Sequence, residues 1–471
     1  MVTAFSSATE IAREIRAGAV SPVEIAELYL DRIDRLNPAI NAIVWIDPDA
    51  TLAEARQAER AVRAGEPLGP LHGIPVPIKD LTAAAGQPCF YGSLGTDTAV
   101  RTEDDLIVGA LRRAGCVLLG RSHAPEAGTM SVTETSRFGV ARNPWDLSRS
   151  PAGSSGGAGA ALAAGLAPFT HASDGGGSIR MPASSNGLVG LKPSRGRVPS
   201  AVAGWEHAAT EGAEARTVAD AAAILDAISG PDPFVMYNAP RPERPFATEV
   251  GRPQEPLRIG LLLEAPTGLP VDDECVRAAT GTAALLEAMG HVVTPVAPRF
   301  YSERAVLGYV THIMDASVAA MPYLRPELAE PYLRHRMARA GRASAVDYVQ
   351  SAMRIQAETY DIVSQFGRDF DVLLTPTMAT VPVPAGELVA EANEHPDLPR
   401  VREGRMVSFT SWVNLAGLPA ISLPMHVAAD GLPVGAQLVA GPWREDLLLR
   451  LAAALEEAAP WAHRRPAGFE G

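Results

Sequence analysis

The stretch Leu106-Ile107-Val108-Gly109-Ala110-Leu111-Arg112-Arg113-Ala114-Gly115-Cys116-Val117-Leu118-Leu119 changes period part-way along. Residues 103–114 read as a helix, and Gly115 is its stop. Cys116-Val117-Leu118-Leu119 is an unbroken apolar run of strand length. A helix followed at once by a buried strand is the building unit of an α/β protein. The alternation continues on both sides. Upstream, Ile74, Val76 and Ile78 alternate toward Lys79, while Pro75 and Pro77 limit ladder pairing there. Downstream, residues 156–165 are Gly/Ala-rich and helical, 257–263 read as a strand, 272–289 as a helix stopped by Gly290, and 291–293 as the next strand. Residues 371–374 and 420–423 are late buried strands, and 300–370 read as helical, fit to form one wall of a cleft. At the N-terminus, Ser7-Ala8-Thr9-Glu10 and Ser21-Pro22-Val23-Glu24 read as capping boxes. Ile25, Leu28, Tyr29, Ile33 and Leu36 keep helical spacing, and Asn37-Pro38 is expected to end that helix.

The chain has 471 residues, of which 47% are apolar and 20% charged, the proportions of an ordinary globular protein. Disorder, collagen and coiled coil are excluded as overall descriptions. Three scattered cysteines, Cys89, Cys116 and Cys275, exclude a disulfide scaffold and show no metal-ligand spacing. A net charge of −13 argues against a nucleic-acid binder. No apolar run reaches the roughly 18 residues of a membrane span, and the N-terminus lacks a signal core. The expectation is a soluble, cytoplasmic protein with no membrane or nucleic-acid partner.

Only two of the 41 basic residues are lysine, Lys79 and Lys192. Arginine cannot lose its proton in a protein and lysine can, so a lysine in an arginine-biased chain marks a position where that difference counts. Lys79 ends the segment Gly73-Ile74-Pro75-Val76-Pro77-Ile78-Lys79-Asp80; the bland alternative is a surface lysine paired with Asp80. Gly153-Ser154-Ser155-Gly156-Gly157 offers paired hydroxyls, or simply a loop capping the next helix. Asp174-Gly175-Gly176-Gly177-Ser178-Ile179-Arg180 can aim several backbone N–H groups at one point beside a serine, or be a tight turn. The serine pair also fits the G-x-S-x-G nucleophile elbow, with Ser155 as nucleophile. That elbow requires a preceding strand, yet residues 143–151 are turn-like, and His395, His426 and His463 lack a suitable setting. No phosphate-loop or dinucleotide fingerprint is present.

Taken together, these segments resemble the amidase signature family. The resemblance runs through Lys79, Ser154 and Ser178 in order, then Gly187-Leu188-Val189-Gly190-Leu191-Lys192-Pro193 and Ala215-Arg216-Thr217-Val218-Ala219-Asp220. It returns in Asp371-Val372-Leu373-Leu374-Thr375-Pro376-Thr377, Asn414-Leu415-Ala416-Gly417-Leu418-Pro419-Ala420-Ile421-Ser422 and Asp430-Gly431-Leu432-Pro433-Val434-Gly435, so it spans nearly the whole chain. It implies one large α/β/α domain on a mixed, twisted sheet with helices on both faces. By segments, 1–65 would be an N-terminal helical cap and 66–225 the core carrying the catalytic residues. Residues 226–256, Pro-rich from 228, would be a surface connection, and 257–471 the remaining sheet and pocket-wall helices. It further implies a Ser–cis-Ser–Lys triad without cofactor or metal: Ser178 as nucleophile, Ser154 as bridging serine after a cis peptide bond, Lys79 as base. Backbone N–H groups of Gly175, Gly176, Gly177 and Ser178 would form the oxyanion hole, with Ser155, Asp174 and Arg180 supporting them. Lys192 matches a family motif outside the triad and reads as structural.

Lysine with its free pKa of roughly 10.4 is no base near neutrality, but burial can lower it. Departures from the commonest pattern are Ala152 for Gly and Gly175 where Thr is frequent. Arg195 stands where glutaminyl-tRNA-type amidotransferase subunits commonly have Tyr, and Met406-Val407-Ser408 lacks the carboxylate those subunits carry before the Asn-Leu-Ala-Gly segment. The details resemble instead the branch with 6-aminohexanoate cyclic dimer hydrolase, aryl acylamidases and urethane-cleaving amidases. Features in common are Arg142-Asn143-Pro144-Trp145, Lys192-Pro193-Ser194-Arg195-Gly196-Arg197 and Glu445-Asp446-Leu447-Leu448-Leu449. The expectation is a stand-alone hydrolase for small amides, anilides or carbamates. The alternative is a glutamine-using amidotransferase subunit; a homodimer stays open. Pocket candidates are Gly128, Thr129, Met130, Trp205, Tyr309, Ile313 and Met314.

Overall fold

A computed structural model describes residues 2–202 and 204–470. The strands, in chain order, are β1 (Ile43–Trp45), β2 (Pro75–Lys79), β3 (Val117–Ser122), β4 (Glu134–Thr135), β5 (Gly139–Val140), β6 (Thr170–Asp174), β7 (Val189–Lys192), β8 (Thr210–Ala215), β9 (Arg258–Leu261), β10 (Val292–Pro295), β11 (Val372–Pro376), β12 (Ala420–Val427) and β13 (Pro433–Ala440). Eight of them form one mixed sheet in the order β10-β9-β11-β13-β12-β7-β8-β6. Its β10/β9 and β9/β11 pairs are parallel and the rest antiparallel. A three-stranded sheet, β1-β3-β2, lies against its β6 edge, and β4 and β5 form a short hairpin. The prolines act as expected: among the described residues β2 pairs only β3, with a register break between Val76 and Pro77.

Both faces of the large sheet are covered, and the period-2 rule shows how. Val372 and Leu374 enter one apolar cluster and Leu373 another; Leu438 and Val439 divide the same way. The first cluster joins Ile11 and Ile15 near the N-terminus to Leu448 and Leu451 of the helix Glu445–Ala458. The second lies under Tyr309 and Ile355 of the 300–370 helices. Among the described residues no helix is long and apolar enough to cross a membrane.

Several local expectations change. Ser21 and Glu24 close a full capping box, but the helix Pro22–Ile40 runs past Pro38 and ends at left-handed Asn41. Pro38 lies in the last turn, where one lost N–H bond is tolerable, and Asn37 receives the following N–H groups of Ala42 and Ile43 on its Oδ1. Segment 1–65 is not helical throughout, since it supplies β1 to the small sheet. Residues 226–256 run mostly along the surface, anchored by buried Phe246 beneath the Arg197 guanidinium.

Candidate active site

Three chain segments come together here, and one of them, through Gly175, Gly176 and Ser178, forms part of the wall of a cavity of about 500 Å³. Lys79 ends β2, fully buried, and its Nζ donates to Ser154 Oγ at 2.8 Å. Ser173 on β6 supplies two further oxygens, its carbonyl at 3.2 Å and its hydroxyl at 3.1 Å. Asp80 does not pair with Lys79: its carboxylate accepts the N–H groups of Phe90 and Gly92 and faces Arg121. Burial pushes the Lys79 ammonium down to about 8, against the opposing pull of Glu211, Asp174 and Glu214. A buried, hydrogen-bonded lysine with lowered proton affinity can act as a base near neutrality. Lys192 is also buried, but it lies on β7 and donates to the Pro193 carbonyl at 2.8 Å rather than to a serine.

Ser154 follows a cis Gly153–Ser154 peptide bond, and the residues before it form turns rather than a strand. The nucleophile-elbow reading therefore fails on geometry. Ser155 instead ties the loop to its neighbours: its Oγ donates to the Ser173 carbonyl at 3.2 Å, and its N–H donates to the Ser178 carbonyl at 3.3 Å.

The glycine loop runs from the end of β6 to the helix Arg180–Asn186. Asp174 organises it, accepting the N–H of Gly177 at 2.7 Å and of Ile179 at 3.1 Å. Gly177 is thus a correction: its N–H points into the Asp174 carboxylate and is not free for an oxyanion. Among the described residues, the N–H groups of Gly175, Gly176 and Ser178 have no acceptor, and these three residues line the cavity. Arg180 grips both Asp174 oxygens at 3.0 Å and reaches Gln437, Thr410 and Asn414. Burial alone would raise the Asp174 carboxyl, but the Arg180 guanidinium holds it well below the usual carboxylate range. Asn414 opens one of the motifs in the sequence, but neither it nor Thr410 nor Gln437 was expected at the site, since each lies more than 200 residues from the loop it braces.

The chain matches the amidase family over residues 24–449. The chain belongs to the amidase family. This amidase is 36% identical over 496 residues to 6-aminohexanoate-cyclic-dimer hydrolase from Pseudomonas sp. (strain NK87), covering 99% of this chain and 97% of that protein. It is also 36% identical to an acylamidase from Rhodococcus erythropolis, with coverage of 98% and 97%. The solved structure of 6-aminohexanoate cyclic dimer hydrolase matches with a TM-score of 0.92 at 34% identity over 99% of both chains.

Six of the seven pocket candidates line the amidase cavity: Gly128, Thr129, Met130, Trp205, Tyr309 and Met314. Ile313 does not; it is fully buried in the apolar cluster behind the wall. The wall winds as a π-helix over Tyr309–Met314, which alters the face each residue presents. Unforeseen in the sequence are the charged wall residues. Arg336 and Arg339 share the buried Asp315 carboxylate, and Glu403 binds Ser131 and Arg400. No cluster of three potential metal ligands occurs among the described residues.

Proposed function

We propose that this amidase is a stand-alone serine amidohydrolase that cleaves carbon–nitrogen bonds of small amides, anilides and carbamates. The observation that carries the reading is the buried Lys79–Ser154 hydrogen bond at 2.8 Å beside Ser178 on the wall of one cavity. Neutral Lys79 takes a proton from Ser154 as Ser154 takes one from Ser178. The Ser178 oxygen bonds to the substrate carbonyl carbon, and the resulting oxyanion is met by N–H groups of Gly175, Gly176 and Ser178. The carbon–nitrogen bond then breaks as a proton returns through Ser154 to the leaving nitrogen. Water hydrolyses the acyl-enzyme by the same proton path. Asp174 and Arg180 hold the loop rather than touching substrate.

Carbamates enter the reading because they present the same carbonyl–nitrogen bond; the walls around the carbonyl decide preference. A cytoplasmic setting is supported by the three buried, unpaired cysteines. The deciding experiment uses the isolated protein on matched nitroaniline-releasing amides and carbamates. Turnover abolished in Ser178→Ala and cut about 10²- to 10⁴-fold in Lys79→Arg is the expected result, and the amide-to-carbamate ratio ranks the substrates. Activity surviving in Ser178→Ala overturns the mechanism. Silence on every compound, with the protein folded, favours a subunit that needs a partner.

A further inference from the structure

Against the Lys79 backbone lies a pair of residues that the triad chemistry does not use. His171 sits on β6 with its side chain fully buried, and its Nδ1 accepts the backbone N–H of Lys79 at 3.2 Å. The opposite ring nitrogen, Nε2, lies 2.8 Å from Glu211 Oε2 on β8. The two contacts fix the tautomer. A backbone N–H is a donor only, so Nδ1 must offer a lone pair, and the ring proton resides on Nε2 and is donated to Glu211. Among the described residues β2 is paired by β3 on one edge only. The imidazole is the acceptor that holds the last residue of β2 from its other side.

We propose that His171 and Glu211 form a positioning pair for Lys79, the imidazole anchoring the lysine backbone and Glu211 fixing the imidazole while placing a negative charge behind the ammonium. The inference rests on Lys79 being the base. An ordinary glycine or apolar residue at 171 would leave the Lys79 N–H without an acceptor in a buried place, a cost of the kind that folded proteins avoid. Other charged groups also face this lysine. Asp174 and Glu214 come from β6 and β8, both buried, and Arg121 on β3 donates Nη2 to the Lys79 carbonyl at 3.1 Å. Asp105, near Glu211 and His171, accepts the Ala83 N–H. Glu211, Asp174 and Glu214 are the carboxylates that favour the protonated lysine, and Glu211 is the one reached through the imidazole.

The direction of the effect follows. Removing the Glu211 charge disfavours protonated Lys79, so the neutral base persists to lower pH. In Glu211→Gln the acid limb of the kcat/KM profile, measured with a neutral anilide, should move down by about half a pH unit or more. Glu211→Asp, which keeps the charge, should leave the limb close to its original place. A purely structural role would lower Tm and leave the limb where it was. A Glu211→Gln limb superimposable on the parent overturns the proposal. The second readout uses the unaltered protein with 15N-labelled histidine, the His171 signal being assigned by its loss in His171→Gln. A neutral ring protonated on Nε2 at pH 7 is expected; protonation on Nδ1, or an imidazolium, overturns the pair. Failure of the underlying reading looks different: there Lys79→Arg itself retains turnover.

Discussion

Lysine and arginine carry the same charge when protonated, but at position 79 they are different reagents. The Lys79 ammonium is held down at about 8 by burial. If it is the base, kcat/KM should climb with pH and level off above about 8, because only the neutral form accepts a proton. A profile flat from pH 6 to 9 on a substrate limited by chemistry would contradict this. Lys79→Arg should lose about 10²- to 10⁴-fold in kcat/KM, the usual worth of a general base. The Asp174–Arg180 pair is a different kind of residue-scale feature, since both partners are fully buried. Asp174→Asn would leave the guanidinium uncompensated and three loop N–H contacts weakened. A loss of about 3–5 kcal/mol in urea unfolding is expected.

At the scale of elements, the glycine loop and the turn carrying Trp205 are fitted to each other. A Cβ on Gly175 would lie 2.7 Å from the Trp205 ring. Trp205, Glu206 and His207 all have positive φ, at 56°, 52° and 64°, and the Tyr309 hydroxyl donates to the Trp205 carbonyl at 2.9 Å. This gives a physical account of the glycine at 175: the indole occupies the space a side chain would need. Gly175→Thr should displace the ring and cost about 1–3 kcal/mol of overpacking. Pairing it with Trp205→Ala should recover part of the lost stability and change KM for bulky anilides. If the double variant is no more stable than Gly175→Thr alone, the two positions are not coupled as described.

The whole molecule is closed by contacts between its two ends. Arg32, in the helix Pro22–Ile40, donates Nε to the Gly165 carbonyl at 2.8 Å and Nη2 to the Ala164 and Phe469 carbonyls at 3.0 and 2.6 Å. Asp220 accepts the N–H groups of Ala8 and Thr9. The N-terminal segment is therefore part of the same core as the C-terminal helix and not a detachable cap. Arg32→Ala should destabilise the protein by about 2–4 kcal/mol, because buried carbonyls lose a charged donor, while KM stays close to its parent value. Denaturant unfolding and steady-state kinetics on one preparation check both halves of that statement.

By itself the sequence determined the class of fold, because a change of hydrophobic period at Gly115 and again around Gly290 is a local signal. It also brought Lys79, Ser154 and Ser178 forward as candidates, through the resemblance that their order and spacing carry together rather than through any one segment. What it could not determine depends on distant parts of the chain. That Gly177 spends its N–H on Asp174 follows from the loop's path, and that Ile313 faces inward follows from the apolar cluster packed against the wall helix. The tertiary structure alone brought Thr410, Asn414 and Gln437 behind Arg180, and His171 with Glu211 behind Lys79. Side chains of that kind carry no local pattern; they acquire a role only when strands remote in sequence are hydrogen-bonded side by side.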